Sequence, residues 1–285
     1  MTDFADIRQR MSRAAQMARL PLRAGAWSGL NGQINGMGTG NSLDFQDQRP
    51  YVPGDDPRHI NWQAYARNGS YTMKLYRQEV SPRVDLILDG SPSMFVDEAK
   101  TRRVWELAWF TIESALRMGA SLKVHMAGRR SQEVPLDHVM ANRWPDADKD
   151  STEAGLRLDE TPLRPGALRV LISDLLFPAA PEHSLTPLAA SGGRGLLLVP
   201  WCKGEAEPDW NGNIEFENCE SGHREKRRVP AATLERYHDA YRRHFELWRE
   251  PCRRRGMAFA RVAAEPEFLT ALRAEAVKAG AVEMI

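Results

Sequence analysis

The segment Val84-Asp85-Leu86-Ile87-Leu88-Asp89-Gly90-Ser91-Pro92-Ser93-Met94 decides how the fold is interpreted. A short apolar run that stops at a polar turn is typical of a buried strand, and this run stops at Asp89. Alternate residues of an extended segment point to the same side, so the side chains of Asp89, Ser91 and Ser93 would face one direction. The segment therefore predicts a strand whose carboxyl end carries three oxygen donors.

Apolar periodicity on both sides of this segment predicts an α/β fold. Residues Val104 to Leu116 repeat at helical spacing, and Leu122 to Ala127 follow as a strand. Further buried strands are predicted at Leu168 to Asp174 and at Gly195 to Trp201, with a helix around His183 to Ala190 between them. Because strand, helix and strand alternate, we expect a mostly parallel sheet with helices on both faces.

The chain divides by composition into three predicted parts. Residues 1–24 carry apolar positions near helical spacing and predict an amphipathic helix, and residues 25–80 predict a small β-rich lobe after a glycine-rich loop. Residues 81–285 form the main domain, with a hairpin-like insertion near 203–229. The main domain is expected to close with a helix from Ala231 that ends at Pro251, a strand over Met257 to Val262 and a helix over Glu267 to Lys278. The polar stretch from Gly128 to Lys149 predicts a strand edge and a surface loop.

Composition limits the classes of function. The 285 residues are 42% hydrophobic, and 39 Lys and Arg balance 38 Asp and Glu, so no global field favours nucleic acid. No run of about 18 apolar residues predicts a membrane span, and charges interrupt the first 25 residues where a secretory signal would lie. The three cysteines include no C-x-x-C pair. We therefore expect a cytoplasmic protein without a disulfide framework or a thiolate zinc site.

The three oxygen donors after the first buried strand suggest a metal site. A carboxylate from Asp89 and hydroxyls from Ser91 and Ser93 are hard donors of low total charge, which suit Mg²⁺ (or Mn²⁺) and would leave water on the metal. Asp174 ends another predicted strand, so in a parallel sheet it would lie on the same rim and hold the metal directly or through water. An open coordination position could accept a carboxylate from outside.

Two sequence motifs resemble known families. Asp89-x-Ser91-x-Ser93-Met94 is similar to the metal-ion-dependent adhesion site (MIDAS) of von Willebrand factor A domains, and Ile172-Ser173-Asp174 is similar to its later strand-end aspartate. Leu43-Asp44-Phe45 and the longer segment from Arg49 to Trp62 resemble the signature of the bacterial domain of unknown function 58 family (DUF58). The resemblance covers the chain from about residue 25 to the end.

This resemblance implies a von Willebrand factor A-like α/β fold preceded by the small β-rich lobe. It implies a set of metal ligands, namely Asp89, Ser91, Ser93, Asp174 and Thr152. Thr152 is chosen because a leucine follows at i+4, as at a helix start, and Thr161 is the competing choice. It also implies a MoxR-type AAA+ ATPase as partner and a role in the assembly or maturation of client proteins. The chain departs from the family pattern at Asp44 and Asn61, where Glu and Asp are common.

Three functions remain open at the level of sequence. The leading hypothesis is a non-enzymatic, metal-dependent protein-binding module. The alternatives are a Mg²⁺-dependent phosphoester hydrolase with Asp174 as its base, and a scaffold with an empty metal site. No G-x-x-x-x-G-K-[ST] string exists, so the chain is not expected to hydrolyse ATP. Asp55 and Asp56 beside Arg58 could form an acid pair, but a turn fixed by a salt bridge is the favoured interpretation.

Overall fold

The computed structural model describes residues 4–22, 43–78, 81–128, 131–146, 156–219 and 222–285. The chain forms two compact units, one made of Met1–Ala26 together with Pro82–Ile285 and one made of Trp27–Ser81. The predicted ligand Thr152 and the predicted glycine-rich loop at 25–40 lie outside the described residues.

Helices and strands alternate along most of the described residues. The helices are α1 (Phe4–Met17), α2 (Trp62–Asn68), α3 (Glu98–Arg117), α4 (Leu136–Met140), α5 (Pro181–Ala189), α6 (Lys203–Ala206), α7 (Ala231–Arg254) and α8 (Phe268–Ala271), which continues as a π-helix over Leu272–Ala276. The strands are β1 (Ala18–Arg19), β2 (Leu43–Pro50), β3 (Thr72–Gln78), β4 (Arg83–Asp89), β5 (Ser121–Ala127), β6 (Gln132–Val134), β7 (Leu168–Ile172), β8 (Arg194–Trp201), β9 (Gly212–Glu217), β10 (Arg224–Val229), β11 (Ala258–Ala263) and β12 (Glu283–Met284). None of these helices is both long and apolar enough to cross a membrane.

A mostly parallel sheet is the centre of the larger unit, which confirms the predicted mixed α/β class. Its six strands are ordered β11-β8-β7-β4-β5-β6, and only β6 runs antiparallel to its neighbour. The chain leaves β4 towards β5 and later returns to β7 on the other side of β4. Ile172 of β7 lies beside Leu88 of β4, so the residues that follow both strands emerge at the same rim of the sheet.

Apolar side chains cover the sheet on its two faces. Ile87, Leu171 and Leu197 share a buried cluster with residues of α5 and α7, among them Leu185 and Trp248. No residue of α3 belongs to this cluster, although most of α3 is buried and α3 contacts β4, β5, β7, β8 and β11. Helix α3 therefore packs on the opposite face, where α1 covers it further.

The smaller unit contains a β-ribbon and a turn fixed by ion pairs. Strands β2 and β3 pair antiparallel with an irregularity between Phe45 and Asp47. The Asp55 carboxylate accepts two hydrogen bonds from the Arg49 guanidinium, at 2.6 and 2.7 Å. The Asp56 carboxylate accepts hydrogen bonds from Arg58. The prediction of a turn fixed by a salt bridge is confirmed. Asp55 pairs with Arg49, and Asp56 pairs with Arg58.

Several predicted boundaries differ from the structure. The polar stretch 128–149 includes strand β6 and the short helix α4. Helix α7 continues through Pro251 to Arg254. Pro251 lies in the last turn, where its ring is buried, and the helix continues past it although its missing N–H and its ring disfavour the bond to the carbonyl of Leu247. The predicted hairpin insertion is present as the antiparallel pair β9 and β10.

A buried ion pair fixes the amino-terminal end of β4, opposite to the predicted metal rim. The Asp85 carboxylate is fully buried and accepts hydrogen bonds from the backbone N–H and the Nε of Arg164, both at 2.7 Å. The Arg164 guanidinium also donates to the carbonyl of Val84 at 2.6 Å. This pair ties the segment before β7 to the neighbouring strand β4.

We predict that Asp85→Ala lowers the free energy of unfolding by roughly 3–5 kcal/mol, because it leaves the Arg164 guanidinium without its buried partner. The matched control is Glu133→Ala, which breaks the exposed pair with Lys123 and should cost about 0–1 kcal/mol. Urea unfolding followed by circular dichroism measures both variants. Equal losses in the two variants would contradict the prediction.

Candidate metal centre

The loop after β4 brings the first three predicted ligands together. Asp89 is 1% exposed, and its Oδ1 accepts a hydrogen bond from the backbone N–H of Ser91 at 2.9 Å. The hydroxyl oxygens of Ser91 and Ser93 are 3.1 Å apart. A single turn of 3₁₀-helix over Pro92–Phe95 holds the second serine in place. The loop therefore presents one carboxylate and two hydroxyls in a small volume.

Gly90 lies where the loop closely approaches the neighbouring strand β5. Its backbone N–H donates to the carbonyl of Ala127 at 2.7 Å. A Cβ at this position would lie 3.1 Å from the Cγ and Sδ of Met126 and 3.3 Å from the Ala127 carbonyl oxygen. A side chain here would require the Met126 side chain or the loop to shift by a few tenths of an ångström, so glycine suits the close packing of the loop against β5.

Ser173 connects the β4 loop to the residues after β7. Its hydroxyl donates to Oδ2 of Asp89 at 2.6 Å and accepts from the backbone N–H of Leu175 at 3.0 Å. Asp174 is the next residue, and its negative charge is one cause of the raised pKa of Asp89. Asp89 and Asp174 thus lie on one rim, as the parallel sheet predicts. The sequence motif contains Ser173 but does not predict this bridging role.

The corner after Asp174 adopts an unusual backbone conformation. Leu175 has a φ of 58°, in the left-handed region that non-glycine residues rarely adopt. Its side chain is fully buried, and its carbonyl oxygen lies 2.7 Å from the Nε2 of His244 on α7. Three contacts therefore hold this corner: the buried Leu175 side chain, the hydrogen bond with His244 on α7 and the hydrogen bond with Ser173. This arrangement fixes the direction of the Asp174 side chain.

Lys100 is a member of the site that the sequence interpretation missed. Its side chain is 1% exposed, and its ammonium donates to Oδ2 of Asp174 at 2.8 Å and to the carboxylate of Glu205 on α6. The backbone N–H of Leu176 donates to the other oxygen of Asp174 at 3.0 Å. Spacing offered a signal, because Lys100 precedes Val104 by four residues and so continues the apolar stripe of α3.

The electrostatics of the site leave the Asp89 carboxylate without a cation. Burial, followed by the charge of Asp174, raises the pKa of Asp89 to about 6. In the described part of the chain no lysine or arginine pairs with it. Burial acts to lower the pKa of Lys100, but Asp174 and Glu205 outweigh that effect and the net shift is upward. Burial also raises the pKa of Glu205.

The residues present fit a divalent cation. When ionised, the carboxylates of Asp89, Asp174 and Glu205 carry three negative charges against the one positive charge of Lys100, an excess of two. Within the described residues, no group of three or more His, Cys, Asp or Glu side chains could hold a metal ion. A cation at Asp89 would therefore depend on the hydroxyls of Ser91 and Ser93, and hydroxyl donors favour Mg²⁺ or Mn²⁺ over zinc.

The threonine ligand is not identified by these contacts. Thr161 is buried and its hydroxyl donates to the hydroxyl of Ser131 at 2.7 Å. Thr152 is outside the described residues. Both residues therefore remain predictions.

Comparisons with known proteins identify a family. The family described as "Protein of unknown function DUF58" matches residues 47–247, which is more than half of the chain. The chain belongs to the DUF58 family. No curated protein matches this DUF58 chain. Among solved structures it is similar to an aerotolerance-related membrane protein from Bacteroides fragilis NCTC 9343 with multiple mutations to serines. That likeness has 15% identity and a TM-score of 0.30, and it covers 60% of this chain and 100% of the other.

The raised pKa of Asp89 predicts a pH dependence of stability in the presence of chelator. A carboxyl whose pKa is about 6 when folded and 3.8 in its ordinary state binds its proton more tightly in the folded protein. The free energy of unfolding should therefore fall as the pH rises from 4 to 6, by about 1–3 kcal/mol. Asp89→Asn keeps an oxygen acceptor without the charge, so it should not show this fall.

Urea unfolding of both proteins in EDTA, at pH values from 4 to 8, measures the difference. Parallel stability profiles for the wild type and Asp89→Asn would show that ionisation of Asp89 does not destabilise the fold.

Proposed function

We propose that this chain is a von Willebrand factor A-like, non-enzymatic binding module that captures a protein partner through a divalent cation. In this proposal Mg²⁺ or Mn²⁺ is held by Asp89, Ser91 and Ser93 and contacts a carboxylate of the partner. The observation that supports it most directly is the Asp89 carboxylate, buried beside two hydroxyls and lacking a cationic partner among the described residues.

The position of the site in the sheet supports a ligand-binding role. In open α/β sheets, ligands bind outside the carboxyl ends of the strands, at the point where the strand order reverses. In this sheet the order reverses between β4 and β7. Asp89 is the last residue of β4, and Asp174 follows the end of β7. The strand order and this location agree with the fold that the MIDAS-like motif implies.

The charge of the donor set supports capture of an external carboxylate. Ser91 and Ser93 are neutral, so Asp89 would be the one charged group bound to the cation. When bound, the cation would have one charged protein ligand, which leaves room in its coordination shell for a second carboxylate. Asp174 would support the cation through water, since its two oxygens already accept hydrogen bonds from Leu176 and Lys100. A carboxylate from another protein would then complete the coordination.

The hydrolase alternative has less support from the geometry. A general base must be free to accept a proton from water near the reacting group. Asp174, the residue predicted for that role, already accepts hydrogen bonds from the buried Lys100 ammonium and from the backbone N–H of Leu176, so both of its oxygens are engaged by the protein. We therefore propose that the protein is not an enzyme.

The partner and the compartment are proposed from the family resemblance. The resemblance implies a MoxR-type AAA+ ATPase, together with client proteins whose assembly or maturation the pair assists. We propose a cytoplasmic location for this pair. The carboxylate that the site captures would belong to the ATPase or to the client.

Asp89→Ala should weaken Mg²⁺ and Mn²⁺ binding by about 100-fold or more, because loss of even an indirect metal contact commonly costs 10–100-fold. Isothermal titration measures this, and circular dichroism checks that the variant folds. The matched control is Asp137→Ala, which removes a carboxylate on α4 that is 75% exposed and should leave metal binding unchanged.

Capture on an immobilised MoxR-type ATPase tests the partner. We expect EDTA and Asp89→Ala each to abolish capture and Asp137→Ala to preserve it. If neither EDTA nor Asp89→Ala changes capture, the metal-bridged mechanism is wrong. Metal-dependent turnover of phosphoesters that disappears in Asp89→Ala would favour the hydrolase instead.

A further inference from the structure

The buried ammonium of Lys100 lies against the same carboxylate that the sequence assigned to the metal. We infer that Lys100 is a positioning residue that acts as an internal competitor of the divalent cation for Asp174. It keeps Asp174 out of direct coordination and so holds down the affinity for the metal. This inference rests on the proposed function, since it concerns the same cation.

Lys100 is held both at its backbone and at the tip of its side chain. At its backbone, the N–H of Lys100 donates to the Asp97 side chain that begins α3, at 2.8 Å. At its tip, Nζ lies between Asp174 and Glu205. The Lys100 side chain is 1% exposed, so moving its charge away from Asp174 would require the residues around it to repack.

Glu205 is itself held by its surroundings. Its Oε2 accepts from the backbone N–H of Cys202 at 3.3 Å, in a reciprocal cap at the start of α6. Its carbonyl oxygen accepts the hydroxyl proton of Tyr237 on α7 at 2.7 Å. Because Glu205 is anchored in this way, its carboxylate stabilises the Lys100 ammonium in its position next to Asp174.

The charges decide what this arrangement does to a metal ion. Asp89, Ser91 and Ser93 would hold a divalent cation on the same rim as Asp174, and the Lys100 ammonium already contacts Oδ2 of Asp174. Two positive groups near one buried carboxylate repel each other strongly because the surroundings screen poorly. Asp174 would then contact the metal through a water molecule, while the Lys100 ammonium keeps its direct hydrogen bond to Asp174. Removing the ammonium would free Asp174 to bind the metal itself.

Lys100→Met tests this, since methionine fills a buried position with a flexible unbranched side chain and carries no charge. We expect Mn²⁺ to bind about tenfold or more tightly, because a buried positive charge near the metal is removed. We also expect one fewer water on the bound Mn²⁺, measured by proton relaxation and electron paramagnetic resonance. A purely structural ion pair would change stability and leave both quantities as in the wild type.

Glu205→Gln provides a second variant at a partly exposed side chain. It removes one negative charge and leaves the ammonium with Asp174 alone, so Mn²⁺ should bind several-fold more weakly with its water count unchanged. Lys123→Met is the matched control, because Lys123 forms an exposed pair with Glu133 on β6. This control should bind Mn²⁺ as the wild type does.

The outcomes separate this inference from the proposed function. If the wild type binds Mn²⁺ and Lys100→Met binds it no more tightly, the inference is wrong and the metal site stands. If neither the wild type nor Lys100→Met binds Mn²⁺, both the site and the inference fail. Should Lys100→Met not fold, unchanged or tighter Mn²⁺ binding by Glu205→Gln overturns the inference.

Discussion

The burial of the Asp89 carboxylate is the constraint on which the arrangement at the carboxyl ends of β4 and β7 depends. A buried carboxylate is costly unless each oxygen has a partner, and in this protein one oxygen accepts from the backbone of Ser91 and the other from the hydroxyl of Ser173. These two hydrogen bonds join the loops after β4 and β7. The hydroxyls of the β4 loop and the corner at Asp174 are therefore placed relative to each other by a single side chain.

The sheet makes that connection possible. Because β4 and β7 are parallel neighbours in register, their carboxyl ends lie side by side at the same rim. The opposite end of β4 is fixed by the buried pair of Asp85 and Arg164, so the strand is held at both ends. Apolar residues of β4 supply the burial between these polar ends. The central strand is therefore held by polar contacts at both ends, and the candidate metal ligands lie at its carboxyl end.

Much of this arrangement is predictable from the sequence, because it depends on local pattern. The apolar run before Asp89 and the similar run before Asp174 predict adjacent parallel strands, and the alternation of Asp89 with its serines predicts their common direction. Lys100 was not predicted because a lysine near the start of a helix is usually exposed. Its role arises from Glu205, which lies 105 positions later in the chain. The helical spacing of Lys100 indicates that it lies on the buried stripe of α3, but a contact at such separation leaves no local signal of its partner.

The left-handed backbone at Leu175 makes that position hard to replace. Glycine would relieve the backbone conformation, but it would leave a hole where a fully buried leucine side chain packs. A β-branched residue would fill the hole and suffer more from the positive φ. Few amino acids meet both demands, so substitutions at Leu175 should destabilise the fold although its side chain does not reach solvent.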